Sequence, residues 1–481
     1  MNRRQFLAAA ALSGLATACG SSRPASDPAA FRTALRVPPL LKPQVAEDGT
    51  RTFALSMERG RSEFLPGKPV ETWGFNGPYL GPTVRAARGD KIRMTVANRL
   101  AETSTVHWHG MRLPAKMDGG PHQPIEPGAT WSPHWTVDQP AATSWYHPHP
   151  HGATARHVYR GLAGLFIIDD DDSAPELPAR YGVDDIPLVL QDKLLAEDGS
   201  PTGDPLKGTF GILGDHMLVN GTYAAFVDVR TERVRFRILN GSNARMYHLA
   251  FADGRAFHVV AGDAGLLPAP VEVDRVSLTP GERAEVVVSF KAGEQVLLRT
   301  LSGSDDIDEG DFDLLKIVAA PKLAASPRLP GRLTSATAPI VVPADAKVRR
   351  FRLNGHDAIN GKEMDMSRID EVVPAGATEI WEIENTVYAH NFHIHEVAFQ
   401  VLDVDGSKPP AYASGHKDTV YVPPKSTVRL AVQFGGFTDP ATPYMYHCHI
   451  LRHEDSGMMG QFVIVKPGTE HRVSRTINAH H

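Results

Sequence analysis

The sequence predicts an all-β chain built as three β-sandwiches of one type. Three observations carry that reading. Glycine (42) and proline (38) are abundant among the 481 residues, as many turns and short strands require, and long helices do not. Short runs such as Lys91-Ile92-Arg93-Met94-Thr95-Val96 alternate with the strand period of two and end in Gly, Pro or Asn. A loose internal repeat then sets the number of units. Asn76-Gly77, Asn220-Gly221 and Asn360-Gly361 each precede a charged alternating strand, at 91–96, 234–239 and 379–383. His107-Trp108-His109 follows in the first block and His393-Ile394-His395 in the third. The middle block has Asn240-Gly241-Ser242-Asn243-Ala244-Arg245 there and no paired histidines, so it is expected to bind no metal.

Taken in order, residues 1–19 read as an export signal. Arg3-Arg4 is a twin arginine, and the apolar run 6–18 behind it is too short to span a bilayer. The run ends Leu15-Ala16-Thr17-Ala18-Cys19-Gly20. This resembles a lipoprotein box with leucine one place early, and it also offers ordinary cleavage after Ala16-Thr17-Ala18. Both alternatives place the chain in the periplasm or on the envelope exterior, by the twin-arginine route. A lipid on Cys19 would be its one membrane attachment. Residues 20–45, rich in Ser, Ala and Pro, read as a tether, and 46–170 as the first sandwich. An acidic linker leads into the second, 183–320. An Ala/Pro-rich linker (321–346) precedes the third, 347–467, and the tail 468–481 has no usable pattern. A net charge of −5 leaves no basic field for nucleic acid. The only cysteines are Cys19 and Cys448, which excludes a disulfide framework. A lone thiol in an exported protein is a liability unless it is a ligand.

The residues around Cys448 point to metal chemistry. Cys448 stands between His447 and His449, with His453 five residues on and Met458 ten residues on. Thiolate, imidazole and a distant thioether are the soft ligand set of a blue-copper electron-transfer centre, which needs one more histidine. Strand alternation turns Cys448 to one face and His447 and His449 to the other, so one short segment can serve two metal sites. His390 completes the set. Its separation from His393 is odd, so it too faces away from the pair His393/His395. Four His-x-His pairs stand out, 107/109, 147/149, 393/395 and 447/449, two near each end of the chain. Eight imidazoles can hold three metal ions, and their origin places such a cluster between the first and third blocks. Imidazole alone does not choose among copper, zinc, iron and nickel.

On these motifs the chain resembles the three-domain multicopper oxidases, of the bacterial group that includes the copper-efflux (cuprous) oxidases and laccases. The matching residues are His107-Trp108-His109-Gly110, Trp145-Tyr146-His147-Pro148-His149, 390–395 and 447–458, with Asp138-Gln139-Pro140-Ala141-Ala142 and Gly161-Leu162-Ala163-Gly164-Leu165 besides. The resemblance implies three cupredoxin-like Greek-key β-sandwich domains in a monomer with four copper ions. His390, Cys448, His453 and Met458 would bind type 1 copper, and His107 and His393 type 2 copper. His109, His147, His149, His395, His447 and His449 would bind the type 3 pair. The family couples four one-electron oxidations to reduction of dioxygen to water, and Asp118 and Glu454 stand where it has acidic proton donors. Taken alone, either carboxylate reads as a solvated loop residue.

The reductant is the open point. Cuprous oxidases carry a methionine-rich insert and an Asp and Met just before the first type 1 histidine. This chain has no such insert and has Thr386-Val387-Tyr388-Ala389 there. Met364, Met366 and Asp370 remain as candidate ligands for substrate Cu(I). The expected activity is therefore a cuprous oxidase for copper tolerance, with a laccase-like phenol oxidase as the alternative. A copper-free exported structural or division protein is the remote one, since such a relative should lack Cys448 and several histidines. Three blocks exclude a two-domain nitrite reductase.

Overall fold

The computed structural model of the protein describes residues 30–477. The expected export signal, Cys19 and the last four residues lie outside the described residues. Three sandwiches follow one another, each a pair of sheets closed on its own buried core. The first sandwich ends in a four-stranded sheet ordered Val84–Ala87, Gly164–Asp169, Ala142–His147, His107–His109. The third ends in a five-stranded sheet ordered Glu371–Pro374, Met459–Val465, Tyr444–His447, His390–Ile394, Thr419–Val422. Every paired histidine therefore lies on or just beyond a strand of one of these two sheets. Alternation along the strands, apolar inward and polar outward, is clean in Lys91–Asn98 and Thr378–Asn385.

The repeat has a physical basis in one asparagine per sandwich. Asn76, Asn220 and Asn360 all adopt a left-handed backbone, with φ of 55°, 50° and 55°. Asparagine tolerates that conformation better than most residues do. Each side-chain amide then caps a strand as a backbone partner would. Asn76 accepts from Ser56 N and donates to Ala54 O, Asn220 accepts from Val189 N and donates to Pro187 O, and Asn360 accepts from Arg352 N and donates to Arg350 O. The capped strands, Arg51–Leu65, Asp185–Lys193 and Val348–Leu353, each run parallel to the charged strand of their own sandwich.

Three spans differ from their expected limits. Residues 30–45 are no tether: Phe31 is buried, Thr33–Ala34 pairs in parallel with Ala225–Thr231 of the middle sandwich, and Gln44–Val45 pairs with Arg51–Leu65 of the first. Loop-like composition concealed two short edge strands. The strand Phe312–Ala324 extends the middle sandwich past 320, and Leu333, inside the second linker, lies in that sandwich's core. The tail is also packed. Val473 and Ile477 cover Ile369, Val372, Val463 and Val465 of the third sandwich.

Candidate metal centres

Cys448 directly follows the strand Tyr444–His447 and is fully buried. Its Sγ lies 3.5 Å from His390 Nδ1 and 3.4 Å from His453 Nδ1, and the three form a group able to hold one ion. His453 is oriented by Nε2, which donates to Thr209 O of the middle sandwich at 2.9 Å. Met458 is buried in the same apolar cluster as Cys448, and its carbonyl accepts from Cys448 N. Burial pushes the Cys448 thiol up to about 12 and His390 down to about 3, so the free protein keeps a protonated thiol beside a neutral imidazole. Metal binding here has to displace the thiol proton.

The other face of the same segment belongs to a cluster of eight histidines, all at most about 1% exposed. Rings of the first and third sandwiches interleave: His107 stacks on His395 at 3.8 Å between centroids, and His109 on His393 at 3.7 Å. Three ion-sized groups emerge, His107/His393/His395, His109/His147/His449 and His149/His395/His447. The expected alternation holds on both strands. Cys448 and His390 meet on one side, and His393, His395, His447 and His449 on the other.

The hydrogen bonds test whether metal ions fit. His107 Nδ1 donates to Asp118 O, His393 Nδ1 to Asp418 O and His147 Nδ1 to Pro148 O. Each therefore carries its lone pair on Nε2, and all three Nε2 atoms are buried without a partner. His395 Nδ1 donates to Asp118 Oδ2 at 2.7 Å and His447 Nδ1 to Cys448 O, so the Nε2 lone pairs of His395 and His447 face each other at 3.2 Å. Lone pairs so placed need a cation between them. A proton is disfavoured, because burial holds these imidazoles far below their usual pKa, His107 at about 3 and His449 at about 4. Neutral, oriented imidazoles aimed inward are the donor set for a metal, and the residues present fit copper.

Asp118 and Glu454 are not solvated. Both are almost completely buried, and burial raises both carboxyls well above the usual range. Asp118 also lies 3.5 Å from His107 Nδ1. The oxygens of Glu454 sit 3.2 Å from His149 Nδ1 and 3.3 Å from His447 Nδ1, out of hydrogen-bond alignment. Met364 and Met366 are half-buried, and Met364 N donates to the carbonyl of Gly457, next to Met458. Asp370 does not join them: its oxygens are taken by Arg368 Nε and Gln461 N. Sequence reasoning missed Asn391, whose Oδ1 accepts from His449 N while Cys448 Sγ lies 3.6 Å away, and it missed Asp418 and Arg283, which approach His109. Asn391 could have been found, since it sits inside the motif, but nothing local marks the other two.

Known proteins resemble this chain over most of its length. Multicopper oxidase family models match residues 56–173, 187–305 and 335–468. The chain is 36% identical over 477 residues to the cell division protein FtsP of Salmonella typhimurium, covering 96% of this chain and 98% of that protein. It is 35% identical over 434 residues to the multicopper oxidase mco of Staphylococcus aureus, covering 89% and 92%. Among solved structures, a laccase from Pediococcus acidilactici superposes with a TM-score of 0.82 at 38% identity, over 91% of this chain and 95% of that one.

Proposed function

The chain belongs to the multicopper oxidase family, and on that premise we propose that it is a working copper-dependent oxidase that takes electrons singly at Cys448 and passes them to dioxygen at the histidine cluster. The observation that carries this reading is the set of buried imidazole nitrogens aimed inward, several without a partner and those of His149, His395 and His447 facing one another, beside a cysteine between two histidines. Four coppers are expected: a type 1 ion at His390, Cys448, His453 and Met458, a type 2 ion at His107 and His393, and a type 3 pair on the other six histidines. Bound there, copper supplies one-electron exchange at the thiolate and a multi-electron reductant for dioxygen.

The chain's own residues do the rest. The backbone 447–449 joins the two centres by the shortest covalent path, since its three side chains alternate between them. Asp118 orients His395 and His107 and, kept protonated by burial, holds a proton beside the cluster. Glu454, also kept protonated by burial, holds a proton close to His149 and His447.

For the reductant, the reading is Cu(I). Soft thioethers suit it, and the segment carrying Met364 folds against Gly457 at the edge of the Cys448 pocket. A phenol is the second reading, favoured by rings over the same pocket. Tyr388 lies 5.3 Å from His390 and 5.7 Å from His453, and Phe210 5.8 Å from His453. A division role without turnover is the third, resting on the likeness to FtsP. Export through Arg3-Arg4 belongs to the same proposal; among the described residues no helix is long and apolar enough to cross a membrane. The test is copper analysis of the purified chain, then kcat/KM for Cu(I) and for a dimethoxyphenol. A chain that takes up no copper sinks the oxidase. Met364→Leu with Met366→Leu should raise KM for Cu(I) several-fold and leave the phenol unchanged. Equal losses, or none, favour the phenol.

A further inference from the structure

We propose that Arg283, contributed by the middle sandwich, is a positioning residue for the histidine cluster, acting through the Asp418 carboxylate on His109. The middle sandwich supplies no ligand to the histidine cluster, yet its turn 279–283 lies against it. Arg283 is completely buried and all five of its N–H groups are used. Nε donates to Thr143 O of the first sandwich at 2.9 Å. Nη1 and Nη2 donate to Gly281 O and Asp263 O of its own sandwich, and both also grip the Asp418 carboxylate of the third at 2.7 and 2.6 Å. One guanidinium thus ties three domains. The planar, two-pronged grip fixes the carboxylate's orientation in a way an ammonium cannot. Space for it depends on Gly110, directly after His109, because a Cβ there would come within 2.7 Å of Arg283 Nη2.

Asp418 meets two histidines, and its carboxylate passes that orientation to one of them, His109. Its Oδ1 accepts from His109 Nε2 at 3.0 Å, which leaves the His109 lone pair on Nδ1, buried and unpartnered. Its main-chain carbonyl accepts from His393 Nδ1 at 2.8 Å, which leaves that lone pair on Nε2. Although Asp418 groups with His109 and His393 in a metal-sized arrangement, it is not free to ligate. Oδ1 already receives His109, Thr419 Oγ1 and Arg283 Nη1, and Oδ2 receives Arg283 Nη2. The carboxylate is saturated by donors, and its part is to choose which ring nitrogen of His109 faces the cluster. The inference rests on the copper-oxidase reading for its consequence but not for its geometry.

The decisive variant is the double change Arg283→Met with Asp418→Leu, since removing one partner alone strands a buried charge. Two readouts separate this inference from the oxidase reading. In copper-free protein labelled with ¹⁵N-histidine, the His109 signal, assigned by its loss in His109→Gln, should be the Nε2–H tautomer in the parent and should lose that form in the double variant. In copper-loaded protein the variant should keep its thiolate-to-copper blue band and a native near-ultraviolet signal. Its affinity for cluster copper should fall by about 10–100-fold. Arg283→Lys, which keeps charge but not the fork, should fall between. A parent that binds no copper sinks the oxidase reading, and the tautomer measurement still decides this one. An unchanged His109 tautomer, or full cluster copper in the double variant, reduces the pair to a structural clamp and overturns the proposal.

Discussion

The Cys448 pocket and the histidine cluster share three consecutive residues and are built on different plans. His390, Cys448, His453 and Met458 come from one sandwich, with Thr209 and Phe210 of the middle sandwich leaning on it. The cluster draws His107, His109, His147 and His149 from the first sandwich and His393, His395, His447 and His449 from the third, with Arg283 of the middle one behind them. A site folded within one domain survives small changes in how domains dock. A site split across an interface is only as well ordered as the docking, because ligand geometry tolerates errors of well under an ångström. Damage to the pocket should therefore show as lost colour, and damage to the cluster as lost oxygen chemistry with the colour intact.

The most severe way to break that division is Cys448→Ser, because Cys448 serves the pocket and also lies on the path out of it. The blue band should vanish and turnover with every reductant should fall to the buffer rate, with the fold retained, since serine fills nearly the same buried volume. A variant that stays blue assigns the thiolate elsewhere and ends the comparison.

Next in size is His107→Ala or His393→Ala. Each removes an imidazole whose Nε2 is aimed into the cluster and touches nothing in the pocket. The blue band should persist while oxygen consumption is lost. Under anaerobic reductant the colour should bleach and stay bleached when air is admitted. Rapid recolouring means electrons leave the pocket by another route.

The same contrast explains what could be read from the sequence. The pocket was legible almost entirely, because Cys448, His453 and Met458 lie within one short stretch and strand alternation placed His390 on the right face. The cluster's histidines were legible as His-x-His pairs, and their split between chain ends located it. Its support was not. Asp418 has no motif, and Arg283 begins an ordinary-looking strand, Arg283–Ser289. Their meeting is a fact of domain docking, which periodicity does not encode. The resemblance marked Asp118 and Glu454, but taken alone they read as solvated loop residues for the same reason: both sit where local sequence says loop, and another domain buries them. The reverse error befell residues 30–45, where composition hid two short edge strands, one of which pairs more than a domain away.

A smaller effect tests whether the middle sandwich really touches the cluster. Gly281 has φ +84°, and a Cβ there would come within 3.1–3.2 Å of the His449 ring. Gly281→Ala should cost about 1–2 kcal/mol of stability from the left-handed backbone alone. It should also perturb the cluster's copper spectrum while leaving the blue band alone, measured by denaturant unfolding and by absorption and EPR spectra. A stability loss with an unchanged cluster spectrum would mean that the turn supports the fold only.

The finest test uses two adjacent methionines, Met458 and Met459, both buried. Met459 opens the strand Met459–Val465 and stands directly opposite His447 in the antiparallel pair. Directly opposed residues share a face, so Met459 belongs to the side of His447 and the cluster. Met458, one residue earlier, falls on the Cys448 side, where it shares that residue's apolar cluster and where His453 O accepts its N–H. If copper is held at this pocket, Met458 would offer it a soft thioether that tunes the reduction potential without being needed to retain the metal. Met458→Leu should therefore raise the potential, by roughly 60–120 mV if the change is worth one to two powers of ten in a one-electron equilibrium. The copper count and blue colour should be kept. Met459→Leu should leave the potential where it was. Spectroelectrochemical titration of the two variants reads the difference directly. If Met459→Leu moves the potential and Met458→Leu does not, the face assignment of this segment is reversed, and with it the claim that one residue of register separates the pocket from the cluster.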